Sequence, residues 1–355
     1  MKKILFTIFI FIILIPKGKS LSMIAYDMDS KQVLYSNNIH DVRPVASISK
    51  IMTAILAIES GKLDDIVTIG DEINKSYGSG IYIQNGEQMS LRDLIYGLML
   101  RSGNDASFAI AKYVGGTVDN FVDMMNDKAK TLGMVDSTFN NPNGLDDKGG
   151  NLSSAYDMAL LTSYAMKNDD YKMITATKKH KVKTNMNYYS WTNKNKLLFS
   201  YKYTTGGKTG YTKIAKRTLV TTASNNNMNI VIVTLNDGND FNDHKNLYEK
   251  LFNEYTGYDI IKKGDISIAN LKDKNSYYVL DNFKYDLRDD EKNNIKVKFD
   301  ILDVKTTNNK IGSVYIYLNN KELYNTDVYV NEYKKVTFWQ KIKNIFKKNK
   351  VGIYD

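Results

Sequence analysis

The chain has 355 residues, enough for one large domain and a smaller second one, and 43% of them are hydrophobic, which supplies a sizeable core. It contains no cysteine, which excludes disulfides and cysteine-ligated zinc, and its three histidines lie too far apart to indicate a zinc site or a Ser-His-Asp triad. The net charge of +10 belongs to the two ends, since residues 1–19 carry +4, residues 334–355 carry +6 and the rest sums to zero. A neutral body argues against a nucleic-acid-binding domain.

The N-terminus has the pattern of a secretory signal. Two lysines precede a mostly apolar run at 4–15, and small residues follow at Gly18 and Ser20. A membrane-spanning helix needs about 20 apolar residues, which is more than this run offers, so cleavage is favoured over a retained anchor. We therefore predict a signal peptide at 1–20 and export from the cell.

The next part of the chain predicts a mixed α/β body. A hairpin is predicted at 22–36, and a largely apolar helix begins beside Ser47. Ser90 has the position of an N-terminal cap for a helix that ends near Ser102. A turn-rich stretch is predicted at 136–152, further helices at 105–114, 117–132, 154–166 and 243–255, and adjacent buried strands at 218–223 and 229–235.

The pattern changes beyond Gly257, where short segments alternate between apolar and polar residues. These segments predict strands at 276–281, 294–302, 311–318 and 325–331. We place a domain boundary near 258–262, which gives a main domain at 21–258 and a small β-rich domain at 259–335.

The C-terminus has a stripe of apolar residues at helical period, with lysines on most other faces: Phe338, Trp339, Ile342, Ile345 and Phe346. A short basic helix with Trp and Phe on its apolar side suits the plane of a membrane interface. Each lysine near an anionic surface adds roughly 1 kcal/mol of binding free energy. We predict a membrane-associating helix at 336–355, with a helix packed on the body or a solvated tail as the alternatives.

Three short motifs carry the functional signal of the main domain. They are Ser-Ile-Ser-Lys at 47–50, Ser-Gly-Asn at 102–104 and Lys-Thr-Gly at 208–210. Ser-x-x-Lys and Lys-Thr-Gly each occur once in the chain, whereas Ser-x-Asn occurs three times. Taken together, in this order and at this wide spacing, the three motifs indicate one active site, which none of them indicates alone.

The first motif indicates a serine nucleophile that needs no histidine. A serine hydroxyl reacts only when a base takes its proton, and Lys50 lies one helical turn from Ser47 on the same face. The pKa of lysine must then fall from about 10.4 toward neutrality, and a shift of ~3 units costs on the order of 4 kcal/mol. Burial or a cationic neighbour must supply this, and Lys208 is the predicted neighbour. The alternative for an isolated pair is a helix cap and a solvated lysine.

The ordered motifs resemble those of the serine penicillin-binding enzymes, specifically the low-molecular-mass D-alanyl-D-alanine carboxypeptidases of peptidase family S11. The resemblance covers about 22–335 and includes Asn-Pro-Asn-Gly-Leu at 141–145 and Lys-Thr-Gly-Tyr-Thr at 208–212. It implies an α/β (α+β) fold of the serine β-lactamase and penicillin-binding-protein type. In that fold an antiparallel sheet is flanked by helices, and here a small β-rich domain follows. The resemblance implies no metal and no organic cofactor.

The resemblance also implies the catalytic roles. Ser47 attacks the carbonyl between two D-alanines, and Lys50 accepts its proton. Ser102 relays a proton to the departing D-alanine, and Asn104 holds Lys50 and the substrate amide. An acyl-enzyme forms on Ser47 and is released by water.

The third motif is implied to bind the substrate. Lys208 and Thr209 bind the terminal carboxylate, with Gly210 beside them, and the backbone N–H groups of Ser47 and Tyr211 form an oxyanion hole. The implied partners are a peptidoglycan stem peptide, β-lactams as covalent inhibitors and a membrane surface reached through the C-terminal helix, with no nucleic acid. The implied place of action is the outer face of the bacterial cytoplasmic membrane or the cell wall.

Two positions depart from the pattern of the family. Asn143 stands where the family usually has histidine, and Lys216 and Arg217 follow Ala215 where a glycine is more usual. We expect none of them to touch the nucleophile or the base, so they bear on substrate fit and rate more than on reaction type.

Three alternative functions must be weighed against this one. A class A β-lactamase has the same motifs but needs a glutamate between the second and third, and the stretch from Asn104 to Lys208 contains ten aspartates and no glutamate. A D,D-endopeptidase or transpeptidase uses the same acyl-enzyme, and the sequence does not separate these activities. A non-enzymatic wall-binding protein on a decayed enzyme fold is disfavoured because all three motifs are intact.

Overall fold

The computed structural model describes residues 21–268, 275–301 and 309–331. The chain splits into two compact units, which divide between Asn253 and Glu254, a few residues before the boundary predicted near 258–262. The predicted signal peptide and the predicted C-terminal amphipathic helix lie outside the described residues. Over the described ranges, no helix has the length and apolar character needed to cross a bilayer.

The first unit mixes strands and helices along the chain. Its strands are β1 (Ser22–Asp27), β2 (Val33–Asn37), β3 (Arg43–Pro44), β4 (Ile66–Thr68), β5 (Gln88–Ser90), β6 (Leu152–Ser153), β7 (Lys179–Lys183), β8 (Tyr188–Thr192), β9 (Thr204–Thr212), β10 (Lys216–Asn225) and β11 (Met228–Leu235). Its helices are α1 (Lys50–Glu59), α2 (Leu91–Tyr96), α3 (Asn104–Gly115), α4 (Val118–Thr131), α5 (Ala155–Ala165), α6 (Asp169–Ala176), α7 (Leu197–Ser200) and α8 (Asp240–Glu254).

A five-stranded antiparallel sheet forms the centre of this unit, in the order β2-β1-β11-β10-β9. Strand β11 is apolar along most of its length because both of its faces are covered. On one face, Val231 and Val233 join the main hydrophobic core. On the other face, the Thr234 hydroxyl lies 3.0 Å from the Nε2 of His244 in α8. The sheet therefore separates α8 from the other helices of the core.

Helix α1 runs through the main core, and its residues from Lys50 to Ile58 are all buried. A short 3-10 turn, Ala46–Ser49, leads directly into it. Several other helices begin where the sequence supplies a capping side chain, since a cap satisfies an N–H group that the helix leaves unpaired. These caps are Ser90 for α2, Thr117 for α4, Ser154 for α5 and Asn168 for α6.

The second unit is β-rich, as the alternating segments predict. Its strands are β12 (Thr256–Ile261), β13 (Gly264–Ile266), β14 (Ser276–Val279), β15 (Phe283–Leu287), β16 (Ile295–Ile301), β17 (Lys310–Leu318) and β18 (Lys321–Asn331). Strands β12 and β15 pair with each other, and the remaining five form a sheet in the order β13-β14-β18-β17-β16. Alternate residues such as Val314, Ile316 and Val328 form its separate hydrophobic core.

Candidate active site

The first motif places a serine hydroxyl beside a buried lysine amine. Ser47 lies on the 3-10 turn, and Lys50 is the first residue of α1. The Nζ of Lys50 is 3.0 Å from the Oγ of Ser47, and the lysine side chain is 0% exposed. The predicted pairing of these two side chains is therefore present, within hydrogen-bond reach for a proton transfer.

Two further oxygens fix the position of the Lys50 amine. The Nζ donates to the Oδ1 of Asn104 at 2.7 Å and to the backbone carbonyl of Asn143. Asn104 begins α3, and its Nδ2 donates to the backbone carbonyl of Tyr77 at 2.5 Å. The side-chain amide of Asn104 is thus held at both ends, with its oxygen aimed at the lysine.

Electrostatics favour the neutral form of this lysine. Burial lowers the pKa of Lys50 well below its ordinary value, and the nearby charges of Lys208 and Lys194 lower it further. The carboxylate of Asp105 acts in the opposite direction but is a smaller influence. A neutral amine has a lone pair, so Lys50 can accept the proton of Ser47.

The third motif lies in strand β9, with Lys208 at its centre. The Lys208 side chain is 1% exposed, and its Nζ donates to the backbone carbonyl of Thr209 at 2.8 Å. Burial, followed by the charge of Lys194, lowers the pKa of Lys208 to about 7. The effect of Lys208 on the pKa of Lys50 identifies it as the predicted cationic neighbour.

Gly210 lets β9 approach the backbone of the Ser47 turn. A Cβ atom at Gly210 would lie 3.0 Å from the backbone nitrogen of Ser47 and 2.4 Å from the Oγ1 of Thr218. A side chain at this position would therefore force the strand and the turn apart. The next residue, Tyr211, pairs with Arg217 of β10 and keeps its side chain 63% exposed.

Ser102 ends a π-helical turn, Gly97–Arg101, in a left-handed conformation with φ +65° and ψ +37°. That conformation costs a non-glycine residue about 1–2 kcal/mol, so the surrounding structure must impose it. Ser102 is buried, but within the described residues it makes no hydrogen bond with Ser47 or Lys50. The structure therefore joins Ser47, Lys50 and Asn104 directly and leaves Ser102 two residues away along the chain.

The expectation that Asn143 lies away from the nucleophile and the base is wrong. Its backbone carbonyl accepts from the amine of Lys50, and the Oγ of Ser47 lies 3.4 Å from the same oxygen. The Asn143 side chain is buried, and its Oδ1 accepts from the N–H of Leu145 at 2.9 Å. The side chain thus shapes the turn, and the turn presents the carbonyl.

This turn is held closely against the start of α1. The Oδ1 of Asn141 accepts from the N–H of Gly144 at 2.7 Å, and the Thr53 hydroxyl donates to the carbonyl of Pro142 at 2.7 Å. Gly144 has φ +79°, and a Cβ there would lie 2.1 Å from the carbonyl oxygen of Ala46. Only glycine fits both the conformation and the space.

Lys216 and Arg217, the second departure from the family pattern, lie away from the nucleophile and the base, as expected. Arg217 binds the buried carboxylate of Asp240 through two hydrogen bonds, of 3.1 and 2.5 Å. Among the described residues, neither Lys216 nor Arg217 contacts Ser47 or Lys50. This ion pair fastens the start of β10 to α8 beside the end of β9.

Two residues near the site were not predicted from the sequence. The Asp105 carboxylate accepts from the N–H groups of Ile81 and Tyr82, which fixes the loop that also supplies the Tyr77 carbonyl. Lys194 lies between β8 and α7, and only its charge relates it to Lys50 and Lys208. Asp105 directly follows the second motif, but its residue type gives no sign of the loop that it holds, and Lys194 has no spacing pattern that points to the site. Over the described ranges, no cluster of three potential metal-ligating side chains occurs.

The comparisons with known proteins agree on one family. Residues 14–239 match the model of peptidase family S11, described as D-alanyl-D-alanine carboxypeptidase. The chain is 36% identical over 218 residues to the D-alanyl-D-alanine carboxypeptidase DacF of Bacillus subtilis, which covers 60% of this chain and 56% of that protein. It is 33% identical over 222 residues to DacB2 of Mycobacterium tuberculosis, which covers 62% and 76%. The match thus spans little more than half of the Bacillus relative.

Solved structures extend the similarity to both units. Penicillin-binding protein 5 of Haemophilus influenzae aligns with a TM-score of 0.76 at 26% identity, covering 89% of this chain and 97% of that one. Penicillin-binding protein 6B of Escherichia coli aligns with a TM-score of 0.70 at 27% identity, covering 86% and 93%. These neighbours confirm the predicted fold class.

Proposed function

The chain belongs to the D-alanyl-D-alanine carboxypeptidase family, peptidase family S11, and on that premise we propose that it is a serine hydrolase of the peptidoglycan. It removes the terminal D-alanine from stem pentapeptides through an acyl-enzyme on Ser47. The observation that carries this proposal is the buried amine of Lys50, 3.0 Å from the Ser47 hydroxyl and with a pKa well below its ordinary value.

Acylation begins when the neutral Lys50 amine takes the proton of Ser47. The Oγ of Ser47 then forms a bond to the carbonyl carbon between the two D-alanines, and the carbonyl oxygen becomes an oxyanion. The N–H groups of Ser47 and Tyr211 are the proposed donors to it, and such a donor typically contributes about 2.7–4 kcal/mol. The close approach of Gly210 to the backbone nitrogen of Ser47 supports this arrangement.

The acyl-enzyme forms when the bond to the departing D-alanine breaks. That amine needs a proton, which is proposed to pass from Lys50 through Ser102 once substrate is bound, since within the described residues Ser102 makes no hydrogen bond with Lys50. Asn104 holds Lys50 and the substrate amide. Water then attacks the acyl carbon, its proton returns through Lys50 to the Ser47 oxygen, and the shortened peptide leaves. Each cycle restores a neutral Lys50.

The terminal carboxylate of the substrate is proposed to bind Lys208 and Thr209. The pKa of Lys208 is about 7 in the absence of substrate, so at neutral pH the amine is only partly charged. A bound carboxylate raises this pKa and stabilises the ammonium form. The charge-assisted hydrogen bond that results is among the stronger polar contacts in proteins.

β-Lactams are proposed to acylate Ser47 and to leave slowly, since the segment between Asn104 and Lys208 offers no glutamate to activate a deacylating water. A class A β-lactamase is therefore a weaker alternative. Endopeptidase or transpeptidase action stays open, because it uses the same acyl-enzyme with another donor or acceptor. Release of D-alanine without a cross-linked product, when an acceptor amine is added, distinguishes hydrolysis from transfer.

The place of action is proposed to be outside the cytoplasmic membrane, where peptidoglycan lies. The predicted signal peptide at 1–20 supports export, and the predicted basic amphipathic helix at 336–355 supports attachment to the membrane surface. Deleting 337–355 should release the protein from membranes on fractionation. Unchanged retention of the truncated protein would contradict the attachment.

The proposed activity is tested with a pentapeptide that ends in D-Ala-D-Ala. The purified protein should release free D-alanine, and Ser47→Ala should release none while keeping its thermal unfolding midpoint. Release by Ser47→Ala at the rate of the unmodified protein, or no release by either, would overturn the proposal.

A further inference from the structure

Two consecutive carboxylates follow the turn that touches the Lys50 amine. Asp146 and Asp147 come directly after the Asn-Pro-Asn-Gly-Leu segment at 141–145, whose Asn143 carbonyl accepts from Lys50. Their side chains point to different parts of the site. Asp147 accepts from the Tyr77 hydroxyl at 2.7 Å, and Asp146 accepts from the Thr212 hydroxyl at 3.0 Å.

The Asp147 contact continues to the catalytic amine through a chain of hydrogen bonds. The backbone carbonyl of Tyr77 accepts from the Nδ2 of Asn104 at 2.5 Å, and the Oδ1 of Asn104 accepts from Lys50 at 2.7 Å. The hydrogen bond to Asp147 raises the pKa of the Tyr77 hydroxyl, as expected when a carboxylate holds its proton. Asp147 therefore holds the side chain of Tyr77, and the backbone carbonyl of Tyr77 holds the side chain of Asn104.

The Asp146 contact leads to the opposite side of the site, at the end of β9. Thr212 is two residues beyond Gly210, and its hydroxyl also accepts from the N–H of Ala215 at 2.9 Å. This hydroxyl therefore joins the turn after β9 to the loop that carries Asp146. The segment that precedes Thr212 contains Lys208 and Thr209, the proposed carboxylate-binding residues.

We propose that Asp146 and Asp147 are positioning residues that set the two sides of this site from one loop, an inference that rests on the proposed function. Asp147 orients Asn104 through Tyr77, so its loss acts on the chemical step. Asp146 orients the end of β9 through Thr212, so its loss acts on substrate binding. Replacing Asp147 should therefore change the rate constant, and replacing the adjacent Asp146 should change the affinity.

The chain offers a matched control for a tyrosine–aspartate hydrogen bond. The Tyr113 hydroxyl donates to Asp65 at 2.7 Å, the same distance as the bond from Tyr77 to Asp147. Tyr113 lies in the last turn of α3, and among the described residues neither it nor Asp65 hydrogen-bonds to a residue of the first or third motif. Removing this pair measures what such a bond contributes to stability alone.

The test measures covalent acylation of Ser47 by penicillin over a range of penicillin concentrations, which separates the first-order acylation constant from the apparent dissociation constant. Asp147→Ala and Tyr77→Phe should each lower the acylation constant by about tenfold, the upper range for one hydrogen bond, with little change in affinity. Asp147→Asn keeps an accepting oxygen and should recover most of the rate. Asp146→Ala should instead weaken the apparent affinity by about three- to tenfold.

The double variant of Tyr77→Phe with Asp147→Ala should be no slower than either single variant, because both remove the same contact. Asp65→Ala and Tyr113→Phe should leave both constants within about twofold while lowering the thermal midpoint as much as the test variants do. The inference is overturned if Asp147→Ala behaves as Asp65→Ala does, or if Asp146→Ala and Asp147→Ala change the same constant. If the unmodified protein is not acylated at all, the proposed function fails first and the inference fails with it.

Discussion

Replacing Gly144 by alanine tests how closely the 141–145 turn must approach the nucleophile. The residue has φ +79°, and the new Cβ would lie 2.1 Å from the Ala46 carbonyl oxygen and 2.6 Å from the Oγ of Ser49. The left-handed conformation costs alanine about 1–2 kcal/mol, and forcing an atom into packed backbone adds about 1–3 kcal/mol. We therefore expect Gly144→Ala to lower the free energy of unfolding by about 2–5 kcal/mol.

Gly149 supplies the control in the same region of the chain. It has φ +87°, but a Cβ there would meet no atom of the described residues within 4 Å apart from its chain neighbours, so Gly149→Ala carries only the conformational cost. Urea unfolding of both variants isolates the steric part, about 1–3 kcal/mol. Gly144→Ala should also acylate with penicillin about a hundredfold more slowly, because displacement by about 1 Å near reacting groups has that effect. Equal stability of the two variants with normal acylation by Gly144→Ala would refute this reasoning.

Three other predictions concern charge and buried polar groups. Lys194→Met removes a cation that lowers the pKa values of Lys50 and Lys208, so both limbs of the acylation pH profile should move to higher pH; an unchanged profile contradicts this. Burial lowers the pKa of His244 to about 3, so the unfolded state binds its proton first, and stability present above about pH 6.5 is lost as the pH falls. As the pH falls from about 7.5 to about 4.5, the unfolding free energy of the unmodified protein, measured with urea, should fall by about 3 kcal/mol more than that of His244→Gln. Equal losses in the two proteins would exclude His244 as the cause. Asp105→Ala leaves the N–H groups of Ile81, Tyr82 and Ala106 without this acceptor and should cost about 2–4 kcal/mol of unfolding free energy, whereas a cost below about 1 kcal/mol would show that the loop does not depend on it.

Side-chain chemistry is the part of the site that the sequence predicts well. Ser47 and Lys50 are close in sequence, so helical geometry alone places them together. Asn104 and Lys208 are distant in sequence, and only the resemblance of the ordered motifs to a known family predicts their placement at the site. The cap at Ser90 predicts the helix that begins after it, because a cap is a local feature and so is visible in a short stretch of sequence.

Backbone contributions and atypical strands are the part that the sequence hides. The Asn143 carbonyl contacts Lys50, but every residue has a carbonyl, so residue type gives no signal of it. Strand β9 is rich in glycine and threonine and lacks an apolar alternation, so it was not predicted, although it pairs with β10 along most of its length. Lys194 acts through charge across space, and no spacing along the chain reports that.

Lys50→Met tests whether a neutral, buried Lys50 amine activates Ser47. Methionine has a similar shape and no charge, but it leaves the Oδ1 of Asn104 and the carbonyl of Asn143 without their donor, so this variant should lose about 1–3 kcal/mol of unfolding free energy and still fold. Mass spectrometry after exposure to penicillin should find one adduct on the Ser47 peptide of the unmodified protein and none on the folded variant. An adduct on Ser47 of Lys50→Met formed at the unmodified rate would contradict the account.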